Sequence, residues 1–414
     1  MNYNMMSSVR ILLFLALFIR TVVGSDYDPH IYPDRGPFFE GWYARLTDGE
    51  NARSFGILFG RVLPEATQKA ATLTYLNLIR SNGSRSMISI ETAPLLEDIS
   101  VTIKNGTPPV TNPITSAPSD FQWVSRPNGY FNVTANSTEF NMTVNDIRFE
   151  GKFGAPVPWA PGGLGKISQI GASFDISPKI MYTFINAIRT TLMMGIVTRG
   201  LAPRSPFTTP LVRVQSRDPG TYRWINLTSK EVLQGSGYLH QEKNWGKSFP
   251  PEWIWTEGYD PVKNVSFAGS FGTVNFGPLP VPAMLFGYRN FRSGFAVDFR
   301  PDDSVIMKDL QPCNGTASVT IESLFYSVKL HFSAEETTFG TCLCGPVADG
   351  FEPVVTESFV ATAWIQVMRH VTFWDMIFRS GDILEDVVLT GVALEFGGNY
   401  LCQDNPCKTK DTCG

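Results

Sequence analysis

The chain is poor in charge, in histidine and in early cysteine, and each shortage narrows what it can do. Only 17% of its 414 residues are charged, and the formal net charge is −4. No basic surplus remains to neutralise phosphates, so nucleic acid is not an expected partner. His331 and His370, the histidines nearest the cysteines, form no ligand pattern with them, and Cys342-x-Cys344 is too tight for the usual zinc pair. There is no Gly-x-Ser-x-Gly elbow and no His/Asp/Ser constellation, which argues against a hydrolase of that kind. Gly162-Gly163-x-Gly165 lacks the strand–helix context and the Lys-Ser/Thr of a phosphate loop. No acidic cluster resembles a calcium loop. No metal and no cofactor are expected. Long apolar runs are also missing. Residues 11–19 are apolar behind Arg10, but a spanning helix takes about 20 such residues. With Val22 and Gly24 before a cleavage near Gly24/Ser25, residues 1–24 read as a secretory signal. No membrane span is expected in the mature chain. Its tail ends without an apolar stretch, so a lipid-anchor signal is not expected either.

Cysteine is confined to the last quarter: Cys313, Cys342, Cys344, Cys402, Cys407 and Cys413. An even count in an exported chain predicts three disulfides, with their pairing left open. Eight Asn-x-Ser/Thr sequons agree with export: Asn82, Asn105, Asn132, Asn136, Asn141, Asn226, Asn264 and Asn314. Several lie on the polar side of an alternating strand. Phe131 and Val133 oppose Asn132, and Phe140 and Met142 oppose Asn141, so a sugar there would point away from the core. The expected location is outside the cell or in the secretory lumen.

Strand alternation dominates what is present. Residues 54–62, 73–79, 87–92, 99–104, 129–135 and 139–149 read as strands, as do 318–332, 356–369 and 387–396. Residues 105–119 read as a polar loop and 155–165 as a Pro/Gly-rich rim. Residues 180–200 recur at helical spacing, and 371–379 suit a short helix. Many strands and sparse helix predict an all-β protein, and 414 residues suggest two units. The expected division is a first half at 25–165, a connector at 166–210, a second half at 211–401 and a Cys-rich tail at 402–414.

One block is denser in chemistry than the rest. His240-Gln241-Glu242-Lys243-Asn244-Trp245-Gly246 leads through Pro250-Pro251 to Trp253-Ile254-Trp255-Thr256-Glu257-Gly258-Tyr259. The prolines force a break. Beyond it, strand period puts Trp253, Trp255, Glu257 and Tyr259 on one face. Two indoles beside a carboxyl group suit protonation of an alkene and stabilisation of the resulting cation.

This block resembles the tocopherol cyclase family, with its Glu-Lys-Asn-Trp-Gly, Phe-Pro and Trp-x-Trp elements at this spacing. Pro37-Phe38-Phe39-Glu40-Gly41-Trp42-Tyr43 is similar to the family's opening, and Val392-Ala393-Leu394-Glu395-Phe396-Gly397-Gly398 to its closing strand. These anchors span residues 37–398, although little of 60–235 matches. The resemblance implies two lipocalin-like antiparallel β-barrels and cofactor-free, acid-initiated cyclisation of a prenylated hydroquinone to a chromanol. Glu40 and Glu242 match family positions and are candidate acids. Glu257 is favoured by its face but departs from the family, which has an amide there. His240 is a candidate to orient Glu242 or shuttle a proton. Trp42, Tyr43, Asn244, Trp245, Trp253, Trp255 and Tyr259 are the expected substrate contacts. Two other readings stand beside cyclisation. One is hydration or isomerisation of another isoprenoid with the same acid. The other is a secreted lipid or isoprenoid carrier without chemistry. Family members in plants work inside plastids, so an exported chain departs from that setting. Each carboxylate and indole also has a purely structural role open to it, in ion pairs or core packing.

Overall fold

A computed structural model describes residues 29–30, 33–82, 87–103, 120–158, 211–216, 219–276, 279–301, 304–340, 342–372, 374–375, 380–405, 407, 410 and 413. All its long elements are strands, in two antiparallel sheets. The first sheet has thirteen: β1 (Phe38–Asp48), β2 (Arg53–Leu63), β3 (Leu73–Asn82), β4 (Ile88–Thr92), β5 (Ile99–Ile103), β6 (Phe121–Ser125), β7 (Gly129–Val133), β8 (Ser137–Val144), β9 (Ile147–Gly154), β10 (Pro156–Pro158), β11 (Leu211–Ser216), β12 (Gly220–Asn226) and β13 (Val232–Gly246). The second has ten: β14 (Glu252–Asp260), β15 (Val265–Phe276), β16 (Leu279–Asn290), β17 (Phe295–Phe299), β18 (Ser304–Gln311), β19 (Thr316–Ser323), β20 (Tyr326–Ser333), β21 (Cys342–Val347), β22 (Gly350–Arg369) and β23 (Asp382–Gly398).

The main path of the first sheet runs β4-β3-β2-β1-β13-β12-β9-β8-β7-β6-β5, and that of the second β17-β16-β15-β14-β23-β22-β20-β19-β18. Closed barrels, the expectation from the resemblance, do not form among the described residues. The terminal strands β4 and β5 are not paired with each other, nor are β17 and β18. Three of these four edges are only five residues long and offer few ladder bonds for closure.

The first sheet extends through the start of the segment that follows residue 211. Strands β11–β13 complete the first sheet, because β13 is long enough to pair with β1 over one stretch and β12 over another. The second sheet opens after Pro250-Pro251, where ladder donors are missing. The single strand expected over 139–149 is a hairpin instead. It turns at Asn145, whose φ of 52° is tolerated by asparagine better than by most residues. The helix expected over 180–200 and the loop at 105–119 lie outside the described residues. Of 371–379, Trp374 and Asp375 are helical, and the other short helices are three-residue 3₁₀ turns. No helix among the described residues is long and apolar enough to cross a membrane.

Alternation assigns every strand two faces and creates three apolar clusters. Trp42, Ala44 and Leu46 of β1 join Phe59, Phe131, Phe149 and Leu239 within the first sheet. Ile254 of β14 joins Phe267, Phe286, Ile365 and Leu394 within the second. The opposite faces meet each other through Trp253, Trp255, Leu343, Val355 and Phe359, with Tyr43 and Phe249 against them. Disulfides Cys313–Cys402, Cys342–Cys407 and Cys344–Cys413 staple the tail to the second sheet. They fit an oxidising compartment. The sequon residues Asn132, Asn136, Asn141, Asn226, Asn264 and Asn314 are all at least partly exposed.

Candidate active site

The site forms where the outward faces of β1 and β13 meet those of β14, β22 and β23. Register explains who meets whom. Tyr43 lies opposite Glu242 and Arg45 opposite His240 in the β1–β13 ladder. Glu395 lies opposite Trp255 on one side and Glu357 on the other. Period 2 then turns Tyr43, Arg45, His240, Glu242, Trp253, Trp255, Glu257, Glu357 and Glu395 into the space between the sheets.

Polar partners inside this space are specific. Trp255 donates its indole N–H to Glu242 Oε2 at 2.8 Å, and His240 Nε2 lies 2.9 Å from Glu242 Oε1. Trp253 donates its indole N–H to Glu395 Oε1. The Tyr43 hydroxyl donates to Glu357 Oε1 at 3.2 Å, and its ring meets Trp255 edge-on at 5.0 Å. Arg45 bonds Glu257 Oε1 at 2.6 Å, and its other nitrogen donates to the carbonyls of Phe359 and Gly391. One buried cation thus ties the first sheet to three points on the second.

Four carboxyls share this space with one arginine, so they cannot all ionise cheaply. Burial pushes the Glu395 carboxyl up to about 7; the Trp253 N–H pulls against this and nearby Glu242 adds to it. Glu357 is driven well above the usual carboxylate range, first by burial and next by the Glu395 charge. Burial and Glu357 likewise raise the Tyr43 phenol. Glu242, Glu257 and Glu357 are buried, whereas Tyr43, Phe249, Val354 and Glu395 keep accessible surface.

Three of the other candidates lie on the opposite face. Glu40, Trp42 and Trp245 occupy the opposite face of the first sheet. There Glu40 is fully buried, with Lys243 Nζ at 2.8 Å, Arg61 at 3.0 Å and His30 Nδ1 at 2.9 Å. Lys243 also sits over the Trp42 and Trp245 rings at 5.1 and 5.2 Å. Burial alone would raise the Glu40 pKa, but Lys243, His30 and Arg61 outweigh it and hold the carboxyl well below its usual range. That setting favours the ionised form of Glu40, and it places this carboxyl on the opposite face of the sheet from the other candidate acids. Tyr259 packs against Tyr238, ring centroids 4.8 Å apart, one strand period beyond Glu257. Asn244 shares the face of Glu242 by register.

Glu395, Glu357 and Arg45 went unselected by sequence reasoning, yet each left a trace. Glu395 sits in the closing-strand motif between Ala393 and Gly397, whose smallness leaves room for the Trp253 ring. A Cβ on Gly397 would overlap that indole. Glu357 is the one charged residue between Glu352 and Arg369 of β22, and Arg45 lies between Ala44 and Leu46. Among the described residues no group of His, Cys, Asp and Glu could hold a metal ion.

No family model and no curated protein sequence matches the chain. Two solved structures align over nearly its whole length. An AttH protein from Nitrosomonas europaea is 11% identical, with a TM-score of 0.44, covering 90% of this chain and 95% of its own. Kievitone hydratase from Nectria haematococca is 10% identical, with a TM-score of 0.44, covering 91% of this chain and 96% of its own.

Proposed function

We propose that the chain is an exported, tocopherol cyclase-like enzyme that protonates the alkene of a prenylated hydroquinone and closes a chromanol ring, without a cofactor. The observation that carries this is Glu395. Its carboxyl accepts the Trp253 indole N–H, lies opposite Trp255 in the β14–β23 ladder and near the Tyr43 phenol, and burial pushes its pKa up to about 7. An acid of that strength is matched to donation at working pH. The donated proton forms a C–H bond and leaves a tertiary cation, which the faces of Trp253, Trp255 and Tyr43 stabilise by about 0.5–2 kcal/mol per contact. The substrate hydroxyl then adds to the cation and loses its proton, so the reaction is a net isomerisation. Glu242, hydrogen-bonded to both His240 and Trp255, is positioned to orient that hydroxyl. The Glu257–Arg45 pair is a structural tie in this reading.

The test is incubation of the purified protein with prenylated hydroquinones in heavy water. A chromanol of unchanged composition, deuterated at the former alkene carbon, is the expected product. A product heavier by one water would replace cyclisation by hydration. The variant Glu395→Gln should keep ligand and lose turnover. Bound ligand with no turnover in the wild type would make the chain a carrier.

A further inference from the structure

We propose that Glu357 is the proton reserve of this site: a second carboxylic acid, kept neutral behind Glu395, that restores the Glu395 proton after each donation. The inference rests on Glu395 as the donor and adds a residue that acts through it. Glu357 and Glu395 face each other across the β22–β23 ladder. Glu357 is fully buried. Its Oε1 accepts from the Tyr43 hydroxyl, while its Oε2 is buried with no hydrogen-bond partner.

A buried carboxylate anion needs donors at both oxygens, and a bare one is costly. A neutral acid removes that cost, because its hydroxyl becomes a donor seeking an acceptor. Glu395, once it has given up its proton, is such an acceptor. The groups facing Glu357 leave it no better counter-charge. Arg45 of β1 is committed to Glu257 of β14, and Tyr43 is a neutral donor. Glu242 of β13 is engaged by His240 and Trp255. Burial and Glu395 push the Glu357 pKa up more than Arg45 and Tyr43 pull it down.

The cycle balances. Glu395 gives its proton to the alkene and becomes a carboxylate. Glu357 passes its proton to Glu395. The O–H bond broken when the substrate hydroxyl adds to the cation returns a proton to Glu357, through the Tyr43 hydroxyl that touches it.

Infrared spectra of the full chain test this without substrate. At a pH above the Glu395 pKa of about 7, the wild type and Glu395→Gln should retain the carbonyl stretch of a protonated carboxyl, and Glu357→Gln should lack it. Should Glu357→Gln fail to fold, Tyr43→Phe serves instead, since losing the donor must move that band. Absence of the band from the wild type, or its survival in Glu357→Gln or unmoved in Tyr43→Phe, overturns the proposal. With substrate, Glu357→Gln should lose about 10- to 100-fold in kcat at unchanged KM, with a first turnover preserved. An unchanged kcat in Glu357→Gln beside an active wild type sinks the reserve alone. No turnover in the wild type sinks the cyclisation reading and the reserve's role with it, whatever the infrared band shows.

Discussion

Glu395 and Glu40 show how one residue type takes opposite states on the two faces of one fold. Glu395 lies opposite another carboxyl across the β22–β23 ladder; Glu40 lies between Lys243, Arg61 and His30. Their contributions to stability therefore run in opposite directions with pH. Folded Glu395 holds its proton up to about pH 7, against 4.5 unfolded. Its contribution is complete below 4.5 and lost as pH rises through 7. Lys243, His30 and Arg61 hold folded Glu40 below the ordinary 4.5, so its contribution is present above 4.5 and lost as pH falls through its lowered pKa. Thermal melts across this range should show Glu395→Gln flattening the decline toward alkaline pH, and turnover by the wild type should fall as pH rises past 7. A melting profile for Glu395→Gln parallel to the wild type would contradict the assignment. Arg45 gives a second prediction. Arg45→Ala strands the buried Glu257 charge and should cost about 3–5 kcal/mol in denaturant titrations. A loss like that of an exposed ion pair would show that the tie is not structural.

Strand period made the faces of single elements legible. Trp253, Trp255 and Glu257 do share a side, as do His240, Glu242 and Asn244, because alternation is a local backbone property. The register between strands was not legible, since it depends on pairings far apart in sequence. Glu395 reaches Trp253 and Trp255 only because β14 pairs with β23. Gly397 is the element-scale test of that seam. Gly397→Ala must displace the Trp253 ring, so it should lower the melting temperature and cut turnover together. A stable, fully active Gly397→Ala would show that the ring position is unimportant. At the β8–β9 turn, Asn145→Val should cost about 1–2 kcal/mol because its left-handed backbone is strained for a branched residue. Asn145→Gly should be tolerated in the same unfolding assay.

At the scale of the molecule, the site is a property of neither sheet alone. The first sheet brings Tyr43, Arg45, His240 and Glu242, and the second brings the indoles, Glu257, Glu357 and Glu395. Loosening one sheet should therefore reach the site. The three disulfides all lie in the second half and close loops with sequence separations of 89, 65 and 69 residues. Removing Cys313–Cys402 with paired Ser substitutions should cost about 2–5 kcal/mol, read from chemical denaturation. The tail also crosses to the first sheet, where Lys410 Nζ lies 2.6 Å from Glu91. That pair is partly exposed, and Lys410→Ala should change stability by no more than about 1 kcal/mol.

The amino-acid sequence by itself determined the all-β class, the faces of individual strands and the even set of cysteines, because alternation and composition are written residue by residue. It marked the block from His240 to Tyr259 as the richest in chemistry for the same reason. Only the tertiary structure decided the disulfide pairing, the open sheets in place of barrels and the sheet boundary after Pro251. It also decided which carboxyls are pushed toward the neutral form. A carboxyl pKa is set by burial and by charges that pairing brings together from residues hundreds apart, and no local pattern carries that information.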